Sequence, residues 1–557
     1  MRLSNGNIIQ SGAGVRQGDP LGSLYFCLGI RDSINRLHQQ FSDVHIFAYA
    51  DNIHLFAHSG DRMDNALDKL KDYFEEIGLI LNPSKSQRFS KDSPNLDSLG
   101  TLISDDATCT EWMAKKIESF SQILPKVTDL DPDLALPLIQ FTVNSRPMYL
   151  ARTVPPWIAY DQLLTFDGHI DKAVALICHR NSLDKVATLI RRQPRHMGGL
   201  GIMGFKDIGP RAWCASFAHS LNMFFKHYPI FMELCYKVHH QSNIFLSQVS
   251  VLKRSYPSLV VRDINNNDTI LHWKEYQNPP FVKCDQQKVL CKSIFTERHD
   301  KIIDLLKEKK DAKGLLWFLS NNFKGSGCWL SFSSLSTMSS MSADAFKSNI
   351  SKRLLINPSS LSISENWTCS ACNHNSLDCR FHCLSCTKLN KITIKRHDLI
   401  VDDLYRTLKK LVGRNNIERE CLLDNNRNLR MDIVVTVNGI TYYIDLGVVS
   451  PTSTSYAQSP DVSPTQVAQV MECSKRHKYS RTLCQIGVRE SHFVPFIMCA
   501  SGFMGTAASD WFDSLLAIPK FRNPMLLWYK LACHRLATAI GLFDVACHSN
   551  LRALATS

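Results

Sequence analysis

The chain has 557 residues, of which 44% are hydrophobic and 21% charged, and 64 Lys and Arg outnumber 51 Asp and Glu to give a net charge of +13. This composition is typical of globular proteins and excludes collagenous and intrinsically disordered chains. We expect no membrane-spanning helix, because no apolar run reaches about 18–20 residues, and no secretory signal, because the first residues lack an apolar core. The basic balance suits a polyanionic partner.

Residues 1–105 alternate short predicted strands and helices, and their most informative feature is a hairpin with Asp51 at its turn. A carboxylate at such a tip can bind a divalent metal. Asp-Asn is also an ordinary turn dipeptide, and these residues alone favour the plain turn. A glycine-containing loop precedes the hairpin, and an amphipathic helix over residues 63–77 follows it. Lys85 comes next and is either a phosphate contact or a solvated surface lysine.

The middle of the chain carries few chemical motifs. Residues 106–330 are predicted to be mainly helical, and residues 331–364 contain thirteen serines, which predicts a linker or a surface segment. Within that segment, Phe346, Ile350 and Leu354 recur at helical spacing and predict one short helix.

A cluster of cysteines and one histidine follows with the spacing C-x2-C-x9-H-x3-C, and its candidate zinc ligands are Cys369, Cys372, His382 and Cys386. Without a secretion signal, such a cluster indicates a metal site rather than disulfides. Four protein ligands predict a structural Zn²⁺. Cys379 and Cys383 are spare thiols that could replace one ligand. The basic stretch 388–414 suits phosphate contacts, or it is a solvated helix face.

Two predicted strands on either side of Asn438-Gly439 form a second hairpin, which would bring Asp432 and Asp445 together. Paired carboxylates among apolar residues suggest a bound cation. A predicted helix follows and carries Lys475 and Lys478. Two acids and a lysine are the layout of metal-dependent phosphodiester hydrolysis, although strand-edge aspartates are often merely solvated.

The N-terminal motifs together carry a family resemblance. The order of a Gln-Gly-Asp-Pro-Leu-Gly loop, a Tyr-Ala-Asp hairpin, a helix and an Asn-Pro-x-Lys segment resembles the palm of a reverse transcriptase, in the form of the non-LTR retrotransposon class. The resemblance implies that Asp51 binds catalytic metal and that Lys85 contacts a phosphate or donates a proton. It also implies nucleotide or template binding by the loop residues Arg16, Gln17, Gly18, Asp19 and Pro20.

Two departures from the family concern polymerisation. Asn52 occupies the place of the second hairpin aspartate, and an amide is a weaker ligand for a hard cation. The family's first palm aspartate precedes the loop, whereas this chain begins only a few residues before it. We therefore expect a polymerase truncated at its N-terminus, without fingers and first catalytic strand. Since Asp51 alone cannot assemble a two-metal site, polymerisation is the least expected activity.

The order of polymerase segment, zinc knuckle and carboxylate pair resembles the non-LTR elements that carry a PD-(D/E)xK-like, restriction-like endonuclease for nicking target DNA. The implied catalytic residues are Asp432, Asp445 and either Lys475 or Lys478, with Mg²⁺ or Mn²⁺ on the two acids. Met431 stands where this family has proline. Gly447 stands where a simple Asp-x-Lys motif has lysine, so the lysine would come from the later helix.

We therefore predict an α+β protein made of a partial reverse-transcriptase palm (1–105), a helical thumb or linker region (106–330), a Ser-rich linker (331–364), a zinc knuckle with a basic stretch (365–414) and a restriction-like endonuclease domain (415–557). The resemblance implies an ancestral role in target-primed reverse transcription. It further implies element RNA and target DNA as partners, a nuclear location, structural Zn²⁺ and catalytic Mg²⁺ or Mn²⁺. The alternative is a non-catalytic, decayed or co-opted nucleic-acid-binding protein.

Overall fold

The computed structural model describes residues 14, 19–227, 287–331, 341–356, 367–373, 375–376, 380–424, 429–453 and 462–548. The chain divides into two compact units, Met1–Cys109 and Thr110–Ser557. Across the described residues, every helix is too short or too polar to cross a membrane.

The first unit packs two helices against a hairpin. Its elements are α1 Gly22–Gln40, β1 His45–Tyr49, β2 Asn52–Phe56, α2 Gly60–Glu76, β3 Leu96–Ser98 and β4 Thr101–Ile103. Helix α2 begins after Ser59, whose side chain accepts a hydrogen bond from the Arg62 N–H at 3.3 Å. The apolar face of α2, including Leu70 and Phe74, is buried against Leu37 and its neighbours on α1. The unit therefore contains both the hairpin and the amphipathic helix that the sequence predicts.

In the second unit up to residue 353, the secondary-structure elements that are described are all helices. Its helices there are α3 Asp106–Ser121, α4 Leu124–Thr128, α5 Pro132–Pro137, α6 Pro147–Thr153, α7 Pro156–Ile177, α8 Lys185–Arg192, α9 Phe205–His227, α10 Gln287–Glu308, α11 Ala312–Ser320 and α12 Ala343–Arg353. Helix α3 begins in the last residues of the first unit. Helix α9 packs on α6, α7 and α10.

A four-stranded sheet follows. The remaining elements are β5 Trp367–Thr368, β6 Asn375–Ser376, α13 Asn390–Val412, β7 Ile417–Asp424, β8 Leu429–Val437, β9 Ile440–Val449, α14 Pro464–Gln485, β10 Phe493–Cys499, α15 Thr506–Leu516 and α16 Pro519–His548. The strand order is β10-β9-β8-β7, with β10 parallel to β9 and the other neighbours antiparallel. A parallel pair needs a crossover connection, and α14 lies in it. Asn438 and Gly439 form the predicted β8–β9 turn with φ of 50° and 80°.

Helix α12 lies inside the predicted Ser-rich linker. It is the short helix that the spacing of Phe346 and Ile350 indicates, but most of its side chains are buried. Its Arg353 guanidinium donates to the carbonyl oxygens of Gly199 and Ser326, each at 3.0 Å. This part of the segment therefore belongs to the core of the second unit, unlike the surface position that its serine content predicts.

A fully buried ion pair joins α12 to α16. Lys352 Nζ lies 2.6 Å from Asp544 Oδ2, and Ser348 Oγ bridges them at 3.0 Å and 2.5 Å. Helix α16 also packs on α13 and α15. The pair thus connects the helical part of the unit to the part that contains the sheet.

We predict that Lys352→Met lowers the free energy of unfolding by about 3–5 kcal/mol, because it leaves Asp544 buried without its cation. Urea unfolding followed by tryptophan fluorescence measures this, since all nine tryptophans lie in the second unit. The control Arg476→Gln removes a pair with the exposed Glu490 and should cost about 0–1 kcal/mol. Equal losses in the two variants would contradict the prediction.

Candidate functional site

The hairpin of the first unit presents Asp51 at its tip. Tyr49 pairs with Asn52, so the turn consists of Ala50 and Asp51. Ala50 adopts a left-handed φ of 52°. Asp51 is exposed, as is Lys85 in the turns that follow α2. An exposed carboxylate at a hairpin tip is accessible to a hydrated cation, but it is one ligand rather than a complete site.

The predicted nucleotide- or template-binding loop is described in part, because Arg16, Gln17 and Gly18 lie outside the described residues. Asp19 and Pro20 are exposed. The Asp19 carboxylate accepts a hydrogen bond from the Leu21 N–H at 2.9 Å. This bond stabilises the start of α1, so Asp19 has a structural role whether or not it contacts a nucleotide.

The acidic pair of the second unit lies on neighbouring strands. Ile433 of β8 pairs with Ile444 of β9, and Asp432 and Asp445 come one step further along the two strands. Asp445 is buried, whereas Asp432 is partly exposed. Asp432 Oδ2 accepts a hydrogen bond from the Leu446 N–H at 2.6 Å. The strand register thus brings the two carboxylates together, as the sequence predicts.

Helix α14 adds a lysine to this acidic pair. Lys475 Nζ forms an ion pair with Asp445 and donates to the Leu446 carbonyl oxygen at 2.9 Å. A Cβ atom at position 447 would lie 2.8 Å from Lys475 Cε. Gly447 therefore provides the space that Lys475 occupies, which explains why the strand has glycine where a simple Asp-x-Lys motif has lysine.

Lys478 lies almost one helical turn further along α14 and contacts a different group. Its Nζ donates to Tyr479 OH at 2.9 Å. The Tyr479 hydroxyl lies 2.8 Å from the Arg430 carbonyl oxygen and 3.2 Å from Asp445 Oδ1. Of the two candidate lysines, Lys475 contacts the acid directly, and Lys478 reaches it through Tyr479.

His397 of α13 completes this group, and our sequence analysis placed it only within a basic stretch. Its Nε2 lies 3.4 Å from Asp432 Oδ2 and 3.2 Å from the Leu446 carbonyl oxygen. Burial favours the neutral imidazole, but hydrogen bonds to Asp432 and Asp398 outweigh it and raise the pKa of His397 to about 9. The contact joins residues far apart in the chain, so no local spacing signals it.

The charges explain what this group can bind. Burial raises the pKa of Asp445, Lys475 opposes that rise, and the charge of Asp432 adds to it. Positive charge nearby therefore stabilises the ionised forms of two adjacent carboxylates. Carboxylate oxygens are the ligands that Mg²⁺ prefers, and a lysine at such a site stabilises negative charge that develops during a reaction. The arrangement can support metal-dependent hydrolysis of a phosphodiester.

The four predicted zinc ligands also lie together. Cys369 Sγ is 4.0 Å from Cys386 Sγ, and Cys372 Sγ is 3.2 Å from His382 Nε2. A zinc–sulfur distance of about 2.3 Å places tetrahedral sulfur ligands about 3.8 Å apart. These separations therefore suit a shared metal ion.

A fifth donor, Cys547 in the last turn of α16, was missed by our sequence analysis. The ligand atoms within 4.8 Å of one another belong to Cys369, His382, Cys386 and Cys547. Of the spare thiols considered, Cys379 lies outside the described residues, and Cys383 is buried beside Lys352. Cys547 follows Cys386 by about 160 residues, so no motif spacing could reveal it.

The thiols of this cluster differ in acidity. Burial opposes ionisation of Cys369, but hydrogen bonds from the Cys372 and Ala371 backbone N–H groups lower its pKa. Burial and the neighbouring Cys369 raise the pKa of Cys386 to about 11. One thiolate is thus favoured over the others, and a metal cation would allow further thiols to ionise.

Comparison with known proteins concerns the first unit. Residues 2–111 match the family model described as reverse transcriptase (RNA-dependent DNA polymerase). The match supports reverse-transcriptase ancestry for this segment. The ancestry implies dependence on a divalent metal and binding of an RNA template. No curated protein matches the chain. The cysteine cluster and the acidic group lie outside the matched residues.

We predict that His397 makes stability depend on pH. Because the pKa is about 9 in the folded protein and about 6.5 in the unfolded chain, the contribution is complete below pH 6.5 and lost as pH rises through about 9. The expected size is up to about 3 kcal/mol. Urea unfolding from pH 6 to 10 should show a smaller loss of stability in His397→Gln, whereas parallel curves would contradict the role of His397.

Proposed function

We propose that the chain comes from a non-LTR retrotransposon protein and that its second unit is a metal-dependent DNA endonuclease. The observation that carries the proposal is the meeting of Asp432, Asp445 and Lys475 on β8, β9 and α14. The reverse-transcriptase ancestry of residues 2–111 supports it, because the resemblance places such an endonuclease C-terminal to the polymerase. In the ancestral element, nicking of target DNA would supply the 3′-hydroxyl that primes copying of element RNA.

The division of roles follows from the contacts. Asp432 and Asp445 would hold Mg²⁺ or Mn²⁺, which would supply activation of water and polarisation of the phosphodiester. Leu446 N–H and His397 both engage Oδ2 of Asp432, which fixes the orientation of that carboxylate. Lys475 Nζ lies against Asp445, where it stabilises negative charge on the phosphate during cleavage.

We further propose that the cysteine cluster binds a structural Zn²⁺ through Cys369, His382, Cys386 and a fourth thiolate. Helix α13 begins directly after it and carries exposed basic residues, among them Arg406 and Lys410. Such side chains on a protein with a charge of +13 suit the phosphates of target DNA and element RNA. We also propose a nuclear location, where target DNA would be available.

For residues 1–109 we propose nucleic-acid binding rather than polymerisation. Asp51 is the one carboxylate at the hairpin tip, and the adjacent Asn52 offers an amide. Nucleotidyl transfer uses two metals held by several carboxylates, and the described hairpin tip offers Asp51 alone. The second candidate function is non-catalytic binding of nucleic acid. The amide of Asn52, in the place where the family has a second aspartate, favours this function for the unit.

We predict that the purified chain nicks supercoiled plasmid in the presence of Mg²⁺ or Mn²⁺. Asp445→Ala and Asp432→Ala should each reduce nicking about 100-fold or more, because either change removes a metal ligand. Both variants should still bind DNA, since the basic residues of α13 remain.

The matched control is Glu490→Gln, which alters an exposed carboxylate of the same unit and should leave nicking unchanged. Nicking that survives in Asp445→Ala would reject the proposed site. If neither the parent nor the variants nick, while salt-dependent DNA binding persists, the non-catalytic function is supported instead.

A second prediction separates the two lysines. Lys475→Ala should lower the nicking rate about 100-fold, because its ammonium group contacts the acidic pair directly. Lys478→Ala is the matched change on the same helix and should cost less than about 10-fold, since it acts through Tyr479. The opposite ranking, measured in the same plasmid assay, would assign the catalytic role to Lys478.

A further inference from the structure

The end of α16 is attached to the cysteine cluster by its backbone. The Cys547 carbonyl oxygen accepts hydrogen bonds from the Ser370 N–H at 3.0 Å and from Ser370 Oγ at 2.9 Å. Ser370 lies between Cys369 and Cys372, in the turn that begins the zinc knuckle. The last turn of α16 is therefore fixed beside the proposed metal ligands.

We infer that Cys547 is the fourth protein ligand of this metal. The other three are Cys369, His382 and Cys386. These are the four residues whose ligand atoms lie within 4.8 Å of one another. The inference rests on the proposed metal site and is independent of DNA nicking.

Burial favours Cys547 as a ligand. The Cys547 and Cys369 side chains are fully buried, and Cys386 is 4% exposed, whereas Cys372 is partly exposed. Several thiols that crowd together in an apolar interior have no strong partner in one another, because a thiol is a weak donor and acceptor. A soft metal cation provides that partner by binding them as thiolates. Cys372 Sγ lies 3.2 Å from His382 Nε2 but is not among the four residues whose ligand atoms all lie within 4.8 Å of one another.

This ligand set gives the metal a second structural role. Cys369, His382 and Cys386 precede the sheet, whereas Cys547 follows it at the end of the last described helix. A metal bound by all four would close a loop of about 160 residues that contains α13, the four-stranded sheet and α14 to α16. Closing a long loop restricts the unfolded chain, so the metal would stabilise this whole region rather than the knuckle alone.

Cobalt substitution tests the assignment by counting thiolates. The wild-type chain is loaded with Co²⁺, and the sulfur-to-cobalt charge-transfer absorbance is measured per bound ion. If the ion is bound by three thiolates, one of them from Cys547, then Cys547→Ser should reduce this absorbance by about a third. Cys372→Ser should leave it unchanged. Cys533→Ser is the matched control, because Cys533 is a buried thiol on the same helix outside the cluster, and it should also have no effect.

The outcomes are distinct. A loss of one third in Cys372→Ser with no change in Cys547→Ser would overturn the inference and retain the knuckle. Wild-type protein that binds no Co²⁺ would reject the metal site itself, whatever the nicking assay shows.

A measurement on the unmutated chain guards against a variant that fails to fold. Alkylation of thiols is mapped by mass spectrometry with the zinc-loaded protein and after chelation. Chelation should expose Cys547 to alkylation together with Cys369 and Cys386, while the buried Cys533 keeps its protection. Equal protection of Cys547 before and after chelation, with Cys369 and Cys386 exposed, would also overturn the inference.

Discussion

The placement of two carboxylates side by side on neighbouring strands, one of them buried, is the constraint that best explains the architecture around the sheet. Burial of Asp445 and the charge of Asp432 both disfavour ionisation of Asp445 and raise its pKa. The surrounding elements each contribute a compensating group: α14 provides the Lys475 ammonium, α13 provides the His397 imidazole, and the β9 backbone provides the Leu446 N–H. With His397 protonated at neutral pH, two positive side chains balance the two carboxylates, so the packing of α13 and α14 against the sheet offsets the cost of placing these acids together.

The two units carry different kinds of evidence. The first is defined by ancestry, because residues 2–111 match a polymerase family while only Asp51 stands at its hairpin tip. The evidence for the second unit is chemical, because Asp432, Asp445 and Lys475 lie together there. The family match does not extend to these residues.

The local features of the fold could be predicted from the sequence. Alternating apolar residues around Asn438-Gly439 and Asp51 predicted both hairpins, because strand register and turn chemistry are encoded within about ten residues. His397 and Cys547 could not be found in this way, because each meets its partners only after distant elements pack. Lys475 and Lys478 could not be separated either, since residues three apart lie on the same helix face. The burial of α12 was hidden because its serines resemble a linker.

The origin of Lys475 on a helix has a mechanical consequence. In a simple Asp-x-Lys strand, the acid and the lysine are held at a fixed separation by one rigid backbone. Here Gly447 leaves that place open, and the lysine arrives from α14. A shift of α14 by one residue, about 1.5 Å along its axis, would withdraw the ammonium group while leaving both carboxylates in place. The position of one helix thus decides whether the lysine reaches Asp445, whereas the strand register alone places the two carboxylates.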